Sequence, residues 1–204
     1  YRNKAQYPVK RENGILNIGF YAKKSHRVID GGDCLLQPEE FTTITEIFKK
    51  WINENSITVY NEEIGKGLVR HIYLRKAFAT GEIMVCVVIN GATLPYQDSL
   101  IELLQAVNGF KTLAVNINRD NTNVVLGSQC VAVFGDGYIT DILCGVKIKL
   151  SPLSFYQVNH HQAQRLYEAA ISQAEITRDD LVLDLYCGVG TITLAMAKSA
   201  GKVI

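Results

Sequence analysis

The chain has 204 residues, 48% of them hydrophobic and 20% charged, which suits one or two globular domains with a sizeable core. Lys and Arg total 21 against 20 Asp and Glu, so a net charge of +1 gives no global basic field, and any nucleic-acid surface must be a local patch. No apolar run approaches the ~18 residues of a membrane span and no secretory leader is visible, which leaves the cytoplasm as the default compartment.

Residues 14–30 read as two strands of a hairpin, carrying Ile15, Ile18 and Phe20, then Val28 and Ile29. The link Lys23-Lys24-Ser25-His26-Arg27 is a solvated loop on its own terms; together with Arg2, Lys4, Lys10 and Arg11 it becomes a candidate phosphate surface if the partner is RNA. Pro38 to Asn55 reads as an amphipathic helix, with Phe41, Ile44, Phe48 and Trp51 at helical spacing as a core stripe. Residues 68–75 and 82–90 are two strands, the second apolar on both faces and hence central in its sheet.

A short helix follows over Asp98–Val107. Then Leu113, Val115 and Ile117 are expected to face inward and Asn116 and Asn118 outward. Asp120 to Asn123 is a polar turn, Asp136-Gly137 marks a hairpin, and Val146, Ile148 and Leu150 alternate against Lys147 and Lys149. Residues 1–150 thus form an α+β unit with a mostly antiparallel sheet.

From 151 to 204 the texture is that of α/β repeats. Asn159 and Gln162 are placed as a helix cap and its partner, and Ala163, Leu166, Tyr167 and Ala170 give that helix a buried face. His160 and His161, at its start, read as surface and cap, and none of the four histidines has metal spacing. Val182, Leu183 and Leu185 read as a buried strand of the parallel kind, followed by a turn on Gly188 and Gly190, a helix over Thr191–Ser199, and a further strand from Lys202. An open parallel sheet needs more β-α units than are present here, so the chain reads as cut from a longer protein.

The five cysteines, Cys34, Cys86, Cys130, Cys144 and Cys187, include no C-x-x-C pair, which speaks against a disulfide framework and for a reducing compartment. Cys86, Cys130 and Cys144 sit among apolar residues and read as core thiols.

The glycine turn carries the functional signal. A glycine pair at a strand end lets backbone approach a ligand, and the helix that follows aims free N–H groups at it. Thr193 stands where a dinucleotide fingerprint needs a third glycine, and the Gly-Lys-Ser/Thr of a phosphate loop is absent. What remains is D-x-x-C-G-x-G over Asp184–Gly190, which looks like the first motif of class I S-adenosylmethionine-dependent methyltransferases of Rossmann-like fold.

With Phe155-Tyr156-Gln157-Val158-Asn159 upstream, Tyr1-Arg2-Asn3-Lys4-Ala5-Gln6-Tyr7-Pro8-Val9 at the start, and Gly19-Phe20-Tyr21, Ser25-His26 and Cys34 between, the whole chain resembles the RNA (uracil-5-)-methyltransferases. These make 5-methyluridine, and the pattern is closer to the ribosomal RNA (23S) branch than to the transfer RNA branch. The resemblance implies that Gln157 and Tyr186 hold S-adenosylmethionine, with Gly188, Gly190 and Asp184 forming the turn and Thr191 a further candidate. It implies Cys34 as a possible fourth ligand of a [4Fe–4S] cluster in the intact protein.

The family mechanism adds a cysteine to C6 of a flipped-out uracil, and a carboxylate removes the C5 proton. In the family both groups lie C-terminal to the turn, so no catalytic residue is expected in this chain, and Cys187, inside the cofactor turn, is not assigned as nucleophile. The isolated chain is expected to bind the cofactor weakly or not at all. Two alternatives stay open: a class I methyltransferase of a small molecule or protein, and a non-catalytic RNA-binding module.

Overall fold

The computed structural model describes residues 1–32 and 34–204. Seven strands form one mixed sheet: β1 (Lys4–Glu12), β2 (Ile15–Tyr21), β3 (Val28–Asp30), β4 (Val69–Lys76), β5 (Ile83–Ile89), β6 (Phe110–Ile117) and β7 (Gln129–Phe134), in the order β3-β2-β1-β4-β5-β6-β7. Every pairing is antiparallel except β5–β6, which is parallel and is reached through α2 (Gln97–Leu104). The parallel step follows from the 20-residue separation of the two strands, which leaves room for a crossover helix. β1 was not read from the sequence as a strand; Asn13-Gly14, both left-handed at φ 50° and 82°, closes it onto β2.

Alternation along the strands builds a core on each face. On one face Tyr7, Ile72, Leu74, Val85 and Val87 meet α1 (Glu39–Glu54) through Phe41, Ile44, Phe48 and Trp51, all fully buried except Tyr7 at 1%. On the other, Tyr73, Met84, Cys86 and Ala114 meet a separate hairpin, β8 (Ile139–Leu143) with β9 (Val146–Leu150), and helix α3 (His160–Gln173). β5 is buried throughout, as its apolar run requires.

Several expectations are corrected. Asn116 and Asn118 point inward: Asn116 Nδ2 donates to the carbonyls of Gly127 and Gln129, and Asn118 Nδ2 to those of Val124 and Val125. Buried amides with carbonyl partners are tolerated, and here they fix the loop between β6 and β7. Asp136-Gly137 is no hairpin turn, because β7 pairs with β6 and β8 with β9. The hairpin turn is Cys144-Gly145, left-handed at both residues, which leaves Cys144 half-buried; Cys130 is half-buried too.

Residues 181–204 give β10 (Leu181–Val182), α4 (Thr191–Met196) and β11 (Lys202–Val203), with β10 and β11 parallel: one β-α-β unit. The expected burial fails there. Leu181 and Leu183 are each 60% exposed and Leu185 80%, because β10 has β11 alone as a neighbour among the described residues. On α3, Ala163 and Tyr167 are buried, but Leu166 is 62% exposed and Ala170 is exposed, since the sheet covers one side of that helix. α4 ends at Met196, short of the expected Ser199. No described helix is long and apolar enough to cross a membrane.

Candidate functional site

The segment Ser151–Asn159 is laid over the end of the large sheet by buried polar groups. Arg75, 1% exposed near the end of β4, donates through Nη2 to the Ser154 carbonyl at 2.8 Å and through Nη1 to that of Ser151 at 3.4 Å. Burial pulls the Arg75 pKa down, and the neighbouring tyrosines Tyr73, its ring 5.4 Å away, and Tyr156 offset this in part. Asn3, at the mouth of β1, donates its side-chain amide to the Gln157 carbonyl at 3.0 Å and its backbone N–H to that of Val158 at 2.8 Å.

A second buried cluster pins the same segment from below. The Tyr156 hydroxyl donates to Asp141 Oδ2 at 3.1 Å, and His160 Nδ1 lies 3.2 Å from that oxygen. Asp141 Oδ1 accepts the N–H groups of Ala79 and Ile142, each at 2.9 Å. Burial alone would raise the Asp141 carboxyl; His160 and the two N–H groups outweigh it and hold the pKa below the usual value. His160 is therefore not the surface residue expected: it is 5% exposed, while Asn159 caps α3 through its side chain on the Gln162 N–H at 3.1 Å, as read.

Held this way, Gln157 is exposed, its side chain facing solvent while its backbone is fixed. The glycine turn is open as well. Tyr186 is 96% exposed, and a Cβ at Gly188, whose φ is 56°, would meet nothing within 4 Å. Gly190, φ 77°, precedes the first residue of α4. Asp184 braces the turn: one carboxylate oxygen accepts the Tyr186 N–H at 3.3 Å and the other the Thr193 hydroxyl. Thr191 ties the turn to α3 through a hydroxyl pair with Tyr167 at 3.1 Å.

The structure thus joins Asp184, Tyr186, Gly188, Gly190 and Thr191 in one turn, and places Gln157 just ahead of the helix that Thr191 touches. Cys187 is exposed within the turn, its Sγ 3.8 Å from the Gly188 carbonyl oxygen. Cys34 is half-buried beside Tyr7, and no group of three metal-ligating side chains occurs among the described residues. Sequence reading missed Arg75, Asp141 and His160. Asp141, the one charge in the apolar strand β8, was the available signal, because an unpaired charge in such a strand needs buried partners; Arg75 shares β4 with Arg70 and Lys76 and carried none.

No family model matches the chain. Over all 204 residues it is 41% identical to a protein of Clostridium tetani described as an uncharacterized RNA methyltransferase, and spans 44% of that protein. It is 40% identical over its whole length to a counterpart so described in Caldanaerobacter subterraneus, spanning 45% of it. The chain therefore covers less than half of the curated relatives it matches. Among solved structures, that of a Pyrococcus abyssi tRNA (uracil-54, C5)-methyltransferase in complex with S-adenosyl-L-homocysteine aligns with 97% of this chain and 46% of its own. Its TM-score is 0.76 and its identity 27%.

Proposed function

The chain is a homologue, over its full length, of proteins described as RNA methyltransferases, and from that relationship we propose that it is part of an enzyme that methylates C5 of a uridine in RNA, using S-adenosylmethionine. The observation that carries this reading is the open turn of Asp184–Gly190, tied through Thr191 to the helix that follows the anchored Gln157, on a fold shared with a uracil-C5 methyltransferase that was solved with S-adenosyl-L-homocysteine.

The residues present fit that cofactor. Gly188 is left-handed with open space above it, and Tyr186 and Gln157 present an aromatic face and an amide to solvent. S-adenosylmethionine supplies an electrophilic methyl group. Gln157 offers donor and acceptor to a zwitterionic ligand, Tyr186 a flat wall, Gly188 and Gly190 a close backbone approach, and Thr191 opens α4. Asp184 acts by holding the turn's shape through its two bonds. We assign residues 1–150 as a central domain and 151–204 as the beginning of the cofactor domain, with the nucleophilic cysteine and the base supplied by residues other than these.

An iron–sulfur cluster fits less well on this chain. Cys34 supplies one thiolate at most, and no group of three metal-ligating side chains occurs among the described residues. Ribosomal RNA is the first substrate to test, from the sequence resemblance; transfer RNA is the second reading, favoured by the structural neighbour's own substrate. We place the enzyme in the cytoplasm, the reducing compartment that its unpaired cysteines favour.

The deciding experiment supplies the full-length protein with methyl-labelled S-adenosylmethionine and unmodified ribosomal or transfer RNA, then digests the RNA to nucleosides. Label in 5-methyluridine is expected. Label in another nucleoside would overturn the uridine C5 assignment, and label in no RNA would overturn the enzyme reading.

A further inference from the structure

A cleft of about 780 Å³ opens at the end of the large sheet away from the glycine turn. It is walled by the β2–β3 turn, by Tyr60 and Glu62, by the start of β4 and by the loop after β6. Arg70 and His71 stand at the start of β4, whereas the Ser151–Ser154 segment docks on Arg75 at its far end; that length of strand separates them by about 17 Å.

Its interior holds an unanswered polar group. His71 is 9% exposed and its Nδ1 has no partner. Burial, helped by the Arg70 cation beside it, pushes its pKa down to about 4, so at neutral pH the ring offers a hydrogen bond and not a charge. A buried ring nitrogen without a partner is costly, and because Nδ1 is closed to solvent it meets a ligand only when the ring or its cover shifts.

Arg70 is not available for that task. Its Nη1 donates to the carbonyls of Asn118 and Asp120, each at 2.8 Å, and its guanidinium lies 4.5 Å over the Tyr60 ring. With the Asn118 amide, it shapes the loop that brings Asn121 and Asn123 to the mouth, where both are exposed. Exposed Lys23 and Lys24 stand on the β2–β3 side. Glu62, the carboxylate in the lining, is held by the Tyr21 hydroxyl at 2.9 Å and by His26 at 3.1 Å, which blunts its repulsion of an anion. Tyr21 itself is 41% exposed.

We propose that this cleft binds one nucleotide of a single-stranded RNA segment, with its base beside Tyr21 and hydrogen-bonded to His71 and the asparagine amides, and its phosphate at Lys23 and Lys24. The proposal rests on the RNA reading above and extends it to a second contact, remote from the glycine turn. A neutral donor-acceptor interior, an amide rim and cations at one lip match a base joined to a phosphate. An acidic peptide would use the lysines and leave His71 unanswered.

The test measures binding of a labelled single-stranded RNA to the full-length protein by fluorescence anisotropy. Two surface variants are compared, Lys23→Ala with Lys24→Ala, and Asn121→Ala with Asn123→Ala. The lysine pair should lower the slope of log affinity against log salt by about one per lysine, and the asparagine pair should weaken binding about tenfold with the slope kept. Free uridine monophosphate should compete weakly and in the same cleft, judged by loss of that competition in both variants.

Unchanged RNA binding in both variants overturns the proposal. So does poly-glutamate binding that falls as RNA binding does, which would make the cleft a generic anion surface or a site for acidic protein. None of these readouts requires methyl transfer, so the two readings fail separately. Variant-sensitive RNA binding without methylation keeps this site and removes the enzyme assignment; methylation with an unchanged KM for RNA in both variants does the reverse.

Discussion

Asn3 and Gln157 are 154 residues apart in sequence, and the Asn3 side-chain amide donates to the Gln157 carbonyl at 3.0 Å. The same asparagine donates its backbone N–H to Val158, so the opening residues of β1 set the height and register of the segment that leads into α3. A chain closing over that separation gains little from propensity; it relies on specific, buried polar pairs.

Asn3→Ala removes the side-chain half of this clamp and leaves the Gln157 carbonyl short of a donor, at a cost of about 1–2 kcal/mol. If Gln157 holds the cofactor, S-adenosylmethionine binding by the full-length protein should weaken several-fold more than in a variant equally destabilised elsewhere. Calorimetric titration beside urea denaturation checks both; equal binding loss in the control would reduce Asn3 to a structural role.

Tyr156→Phe deletes the hydroxyl that joins Asp141 to the Ser151–Asn159 segment. Asp141 is fully buried and keeps its two backbone donors and His160, so the expected destabilisation is about 1–3 kcal/mol, well short of collapse. Urea titration followed through the buried Trp51 measures it. A neutral result would mean that the hydroxyl is replaceable by water.

His71 sets an acid limb. Its folded pKa of about 4 lies below the ordinary 6.5, so between those values the unfolded chain carries the extra proton. Stability from this group is fully present above pH 6.5 and is lost as pH falls toward 4, by a ceiling on the order of 3 kcal/mol. His71→Gln should flatten that limb while leaving the slope below pH 4, where carboxylates such as Asp141 titrate. Melting temperatures across this range, for both proteins, decide it.

Tyr186→Ala and Gly188→Ala separate binding from folding at the turn. Tyr186 is 96% exposed, so its truncation should change stability by less than about 0.5 kcal/mol while reducing cofactor affinity. Gly188→Ala meets no atom within 4 Å but forces a side chain to φ 56°, which costs about 1 kcal/mol. Cofactor affinity unchanged in both variants would remove the turn from the binding site.

The elements of this chain were legible wherever a local rule governed them. Helical spacing announced α1, the double-sided apolar run announced β5, Asn159 and Gln162 announced the start of α3, and the glycine pair announced the turn before α4. The candidate cofactor residues were legible as a motif, and they come together in one turn with Gln157 close ahead of α3.

What local rules could not decide was pairing and burial, which depend on neighbours far along the chain. Alternation put Asn116 and Asn118 outside, but the carbonyls of the following loop made the inside cheaper for them. Leu183 and Leu185 read as core, yet a strand buries its side chains only where another layer covers it. His160 looked like a surface cap until β8 and the Ser151–Asn159 segment brought Asp141 and Tyr156 around it. Propensity and periodicity are properties of a segment, so the sequence alone determined elements such as α1, β5 and the start of α3, and where the glycine turn lies. Desolvation and hydrogen-bond completion are properties of the assembled chain, so only the tertiary structure decided which polar groups are buried together and which are left facing a ligand.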